Sequence, residues 1–152
     1  MQTAVLLHNI RSAHNVGSIF RTADGAGVGH VYLSGYTPTP IDKFGRPQKE
    51  IAKTALGAQS TLAWEYRASI VPLIKTLKRE GWHIVGAEQD ERAQHYKKFK
   101  RKNKTIFVFG NEVKGLSKSV RALCDTIVEI PMRGTKESLN VSVAAGIILF
   151  NN

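Results

Sequence analysis

Three polar clusters in this chain stand where apolar segments end, and such ends are where open α/β sheets bind ligands. The first runs from Asn9 to Val28 (NIRSAHNVGSIFRTADGAGV), a polar turn leading into an amphipathic helix. Asn15 is suited to cap that helix, and Arg21, about one and a half turns further on, is expected to look with it toward the strand end. The second, Phe107 to Ser117 (FVFGNEVKGLS), is a strand stopping at Gly110, with Glu112 as a lone carboxylate able to accept hydrogen bonds or hold a cation. The third, Ile130 to Gly146 (IPMRGTKESLNVSVAAG), breaks at Pro131 and enters a helix through Ser138, Leu139 and Asn140. The free N–H groups of such a helix start suit an anion or the polar edge of a ligand.

Each cluster alone is also met by ordinary structure: a capped helix with an exposed arginine, a strand-to-helix turn, a serine N-cap. Other chemistries find less support. The chain has neither GxxxxGK[ST] nor GxGxxG, which speaks against a flavodoxin-like or nucleotide-binding α/β protein. Cys124 is the single cysteine and the five histidines are scattered, so neither a disulfide nor a metal site is expected.

The elements that must position these clusters are short apolar runs alternating with helical patterns, the signature of an α/β domain with a mostly parallel sheet. Strands are expected at Thr3–His8, Val31–Ser34, His83–Ala87, Thr105–Gly110 and Thr126–Ile130. Helical spacing marks Asn15–Gly27, Tyr66–Glu80 and Ser138–Phe150. Tyr36–Glu50, with three of the five prolines, reads as a long loop. From Arg92 to Lys104, seven of thirteen residues are Lys or Arg, with Tyr96 and Phe99 between them as possible stacking faces.

A length of 152 residues suits one domain, 1–152, with a self-sufficient core and no separate recognition module. The apolar content of 42% excludes intrinsic disorder, and the longest apolar stretch, Val141 to Phe150, is too short to span a bilayer. The amino terminus shows no secretion signal, so a cytoplasmic protein is expected. A formal net charge of +10 makes a polyanion the first partner to consider.

In this order and at these strand ends, NxxxxxR (Asn15 to Arg21), GxExxGLS (Gly110 to Ser117) and IPM…SLNVSVA (Ile130 to Ala144) resemble the motifs of the SpoU (TrmH-type) branch of SPOUT methyltransferases. Lys53–Ala58 (KTALGA) and Gly86–Gln89 (GAEQ) are also similar to the family, so the resemblance covers nearly the whole chain. It implies a SPOUT-type domain with a carboxyl-terminal trefoil knot, an exception to the rule against knots, and a homodimer. It implies S-adenosylmethionine resting on Ala87, Glu88, Gly110, Ile130, Met132 and Leu139. Arg21 would be the main catalytic residue, with Asn15, Glu112, Ser138 and Asn140 completing the site, partly from a facing subunit.

The implied reaction is methylation of a ribose 2′-hydroxyl of tRNA or rRNA, which needs in-line geometry and removal of a proton but no metal. A guanidinium with a pKa above ~12 accepts protons poorly, so Arg21 is read as binding the phosphate beside the ribose, with that phosphate or a perturbed guanidine taking the proton. With no separate RNA-binding domain, Arg11, Arg46, Lys97, Lys98, Lys100, Arg101, Lys102 and Lys104 are expected to supply phosphate contacts. The alternative is a catalytically inactive SPOUT-like RNA-binding protein, which would have no need to keep Arg21, Glu112 and Asn140 together.

Overall fold

Along β1 (Gln2–His8), Val5 and Leu7 join one apolar cluster and Ala4 and Leu6 another, all fully buried. Successive side chains of a strand point to opposite faces, so β1 is covered on both sides, as parallel sheets require. The computed structural model describes residues 1–151 and builds on this a seven-stranded, all-parallel sheet. The other strands are β2 (His30–Ser34), β3 (Ala63–Arg67), β4 (His83–Ala87), β5 (Gln94–His95), β6 (Lys104–Phe109) and β7 (Thr126–Glu129). Their order is β3-β2-β1-β6-β4-β7-β5.

On one face lie α1 (Ala13–Gly25), α2 (Lys49–Ala55), α3 (Ala58–Thr61) and α6 (Val141–Leu149). Val16, Ile19, Phe20, Ala145 and Ile148 pack there on Val5, Leu7, Phe107 and Phe109. On the other lie α4 (Ile70–Arg79) and α5 (Lys118–Leu123), with Leu73, Ile74, Leu77 and Val120 against Leu6, Ile84, Ile106 and Val108. Each fully buried large side chain stabilises this sandwich by about 2 kcal/mol.

The expected strands and helices are present, with informative shifts. Helix α4 starts at Ile70 because Tyr66 and Arg67 are drawn into β3, where they pair with Leu33 and Ser34. Strand β3 escapes sequence reading because its residues are half-buried or exposed and show no apolar run. Asn15 does not cap α1: the cap is Ser12, whose hydroxyl accepts from the Asn15 N–H at 3.1 Å. Ser138 precedes α6, and Asn140 caps that helix by accepting from the Ser142 N–H at 2.8 Å.

The basic segment from Arg92 to Lys104 is not a free loop. It contains β5, and Tyr96 and Phe99 pack on the core, Phe99 edge-on to Phe107 at 6.0 Å between ring centroids. Neither ring stands open as a stacking face, and the segment is not a wholly solvated loop either. Arg101 is likewise turned inward: its guanidinium lies over the Phe107 ring and donates to Thr3 Oγ1 and to the carbonyls of Leu149 and Asn151. That fork fastens the end of α6 to the start of β1. Charged-donor bonds of this kind contribute about 2 kcal/mol in all. Arg101→Ala should therefore lower the thermal midpoint by about 5 °C in calorimetry; an unchanged midpoint would refute the clamp.

Candidate active site at the carboxyl edge of the sheet

Strands β1 and β6 are neighbours, so the turns that leave them, Asn9–Ser12 and Gly110–Gly115, emerge side by side. Glu112 joins them. Its carboxylate accepts from the N–H groups of Arg11 and Ser12, both at 2.9 Å, and from the Asn15 amide at 3.2 Å. The Asn15 carbonyl in turn accepts from the Asn140 amide at 3.3 Å. One residue from each polar cluster is thus connected through hydrogen bonds. Partial burial pushes the Glu112 carboxyl up, but the N–H groups of Arg11, Ser12 and Glu112 itself and the Asn15 amide outweigh it and hold the group below its ordinary value. With both oxygens so engaged, Glu112 serves as an acceptor in this arrangement rather than as a cation ligand.

Beside this cluster is a cleft of about 280 Å³ at the carboxyl ends of β4, β6 and β7. Ala87, Glu88, Gly110, Ile130, Met132 and Leu139 all line it, as do Glu112 and Ser138. Two close approaches shape its wall. A Cβ on Gly110 would stand 2.7 Å from the Gly115 carbonyl carbon, and Gly115 holds φ +65°, so both positions require glycine. Glu88 braces the same loop by accepting from the Leu116 N–H at 2.8 Å, which leaves mainly backbone facing the cleft there. The lining carries Glu88, Glu112, Glu129 and Glu137 against a single Lys114, an acidic pocket in a basic protein.

Arg21 is elsewhere. It is exposed on α1 in a second groove with Ser18, Thr22, Lys53, Thr54, Leu56 and Phe150. Six residues on a helix amount to a rotation of about 600°, so Arg21 and Asn15 cannot share a face, contrary to the sequence expectation. Of the expected phosphate contacts, Arg11, Arg46, Lys97, Lys98, Lys100 and Lys102 are exposed. Arg101 is the inward clamp, and Lys104 donates to the Glu80 carbonyl at 2.9 Å beside Trp82.

The SpoU rRNA Methylase family matches residues 2–150. The chain belongs to this family. It is 34% identical over 146 residues to a 23S rRNA (guanosine-2′-O-)-methyltransferase of Ralstonia nicotianae, covering 96% of this chain and 56% of that protein. It is 33% identical to a putative TrmH family tRNA/rRNA methyltransferase of Staphylococcus haemolyticus, covering 99% of this chain and 57% of that one. The chain thus spans about half the length of these curated relatives. Its fold resembles an AdoMet-bound rRNA methyltransferase of Sinorhizobium meliloti, with a TM-score of 0.86 and 25% identity over 99% of this chain and 55% of that one. It also resembles the A. aeolicus TrmH/SpoU tRNA modifying enzyme, with a TM-score of 0.85 and 28% identity over 99% of this chain and 73% of that one.

In this SpoU-family chain one positioning residue escaped sequence reading. Asn111, 8% exposed, donates to the Asn9 carbonyl at 3.0 Å and to the Tyr36 hydroxyl at 2.9 Å, and accepts from the N–H groups of Val113 and Lys114. Its signal was an asparagine directly after a strand-ending glycine, where an Asx turn forms readily. Among the described residues there is no group of three or more His, Cys, Asp or Glu arranged to hold a metal, and no helix long and apolar enough to cross a membrane.

A carboxyl held below its ordinary value stabilises the fold at every pH above that value, near 4.3, and loses this contribution as pH falls through the lower folded one. Glu112→Gln should therefore have a lower thermal midpoint than the parent at neutral pH. The gap should close between about pH 5 and pH 3 when followed by circular dichroism. A gap independent of pH would show that the charge on Glu112 is not what holds the turn.

Proposed function

We propose that the chain is an S-adenosylmethionine-dependent RNA methyltransferase acting on a ribose 2′-hydroxyl of tRNA or rRNA. The observation that carries this reading is that all six expected cofactor contacts line one cleft, with the Glu112, Asn15 and Asn140 cluster beside it. Family membership and the printed activities of the relatives support it. The pocket also fits the cofactor's chemistry, since a lining with Glu129 and Glu137 besides the hydrogen-bonded Glu88 and Glu112, against one lysine, suits a cationic sulfonium. When bound, S-adenosylmethionine supplies an electrophilic methyl group. The chain's own residues have the remaining tasks. Backbone at Ala87, Gly110, Ile130, Met132 and Leu139 would hold the cofactor, and Ser138 and Asn140 would orient the ribose hydroxyl.

Arg21, remote from its own cleft, fits a homodimer in which it reaches the cleft of the facing subunit and grips the RNA phosphate beside the reacting ribose, so that the hydroxyl proton can pass to a phosphate oxygen. Leu56, Val143 and Phe150, 64%, 50% and 58% exposed around the Arg21 groove and on α6, support such a contact. The order β4-β7-β5, in which β7 enters between two earlier strands before the chain crosses to α1, supports the trefoil knot. We further propose that residues 1–152 act as one domain, in the cytoplasm, with the exposed lysines of the β5–β6 segment meeting RNA phosphates.

Arg21→Lys should lower methyl transfer from labelled S-adenosylmethionine to RNA by about 100-fold, with cofactor affinity intact by calorimetry. Mixing inactive Arg21→Ala and Asn140→Ala proteins should restore activity, because one site of the mixed dimer keeps both groups; no recovery would reject the shared site. Neutralising Lys97, Lys98, Lys100 and Lys102 should weaken RNA binding and flatten the slope of log affinity against log salt by about 0.7 for each phosphate no longer neutralised. A parent protein that binds RNA but neither binds nor uses S-adenosylmethionine would overturn the enzymatic reading.

A further inference from the structure

The loop from Tyr36 to Gln48 carries a bonded hairpin between Ile41 and Pro47. Asp42 organises it: its carboxylate accepts from the Phe44 N–H at 2.8 Å, the Arg46 N–H at 3.0 Å and the Arg46 Nε at 3.0 Å. The Asp42 N–H donates back to the Arg46 carbonyl at 2.9 Å, Gly45 turns the chain at φ +77°, and Ile41 bridges Pro47. These bonds hold the Asp42 carboxyl below its ordinary value, the Arg46 N–H being the largest cause. At the tip of this ordered turn the Phe44 ring is 69% exposed, with the Arg46 guanidinium 4.9 Å and the Lys43 ammonium 5.2 Å from its centroid. A lone exposed ring needs no explanation, but this one is held at the tip of a bonded turn together with two cations.

The occupant follows from the charges. An exposed ring with two cations over it matches a nucleobase with its phosphates, since bases stack on rings and on guanidinium planes while cations meet the backbone. The hairpin is also placed for this. Its first arm starts at Tyr36, whose hydroxyl accepts from Asn111 in the turn that carries Glu112. Its second arm runs into α2, whose Lys53 lines the Arg21 groove. We propose that the Asp42–Arg46 hairpin is a stacking platform that takes an unpaired base of the RNA strand flanking the methylated nucleotide. This rests on the RNA methyltransferase reading and adds to it the requirement that the target be flanked by a single-stranded, unstacked base.

The test uses the full chain and a single-stranded oligoribonucleotide carrying 2-aminopurine, whose fluorescence is quenched on stacking. Phe44→Ala and Phe44→Leu should abolish the quenching and weaken binding by about tenfold, whereas Phe44→Trp should preserve both. Calorimetric S-adenosylmethionine affinity should be unchanged in all three. Full binding by Phe44→Leu would mean a merely apolar contact and would overturn the proposal, as would quenching that survives in Phe44→Ala. A change in sedimentation with unaltered RNA binding would make the hairpin a protein interface and overturn it too. The two readings fail separately: RNA methylation that is indifferent to Phe44 removes the platform alone, while stacking at Phe44 without cofactor binding removes the enzyme alone.

Discussion

A single carboxylate governs the carboxyl edge of the sheet. Glu112, on the turn after β6, binds two consecutive N–H groups on the turn after β1 and the amide that opens α1. Bonds to an ionised acceptor are roughly twice as strong as neutral ones, and here they converge from residues a hundred positions away in sequence. They tie the start of α1 to the turn after β6, and from there the Asn15 carbonyl accepts from the Asn140 amide at the head of α6. Asn111, next in the chain, fastens the neighbouring loop at Tyr36 to the same turn. The site is therefore fixed by backbone donors and short polar side chains more than by hydrophobic packing.

That scheme explains what was and was not legible in the residues. Val5, Leu7, Phe107 and Phe109 announce a buried parallel sheet because period and composition agree with the final burial. Ala63–Arg67 does not, because β3 lies at the sheet edge with its side chains largely in solvent. The three clusters were visible as spacing, and Glu112, Asn15 and Asn140 do meet. The direction of Arg21 was misread because a strand-end argument ignores rotation about the helix axis. Tyr96 and Phe99 look like binding aromatics only until the segment after β5 is seen to pack them on the core; Phe44, inside what reads simply as a proline-rich loop, is the more exposed ring at 69%.

The charge pattern has a similar logic. A chain with a formal net charge of +10 concentrates carboxylates in its cleft and spreads cations outside it, on the β5–β6 segment, the Asp42–Arg46 hairpin and the Arg21 groove. A polyanion attracted to the outer surface is repelled from the pocket, so only an uncharged group carried on that polyanion is free to approach it. The two signs are thus segregated, carboxylates toward the cleft and cations on the outer surface.

The strand order has a consequence for how the molecule forms. Strand β1 is flanked by β2 and β6, and Gln2 waits for Lys104 as its partner. A parallel pair cannot be closed by a tight hairpin, so this contact comes only after a long loop has been closed. Until β6 arrives, one edge of β1, with Val5, Leu6 and Leu7 along it, is an unpaired apolar ribbon open to other chains. The arrangement that builds the cleft therefore also makes for slow folding and a window of vulnerability to aggregation, closed by the same strand that brings Glu112 to its partners.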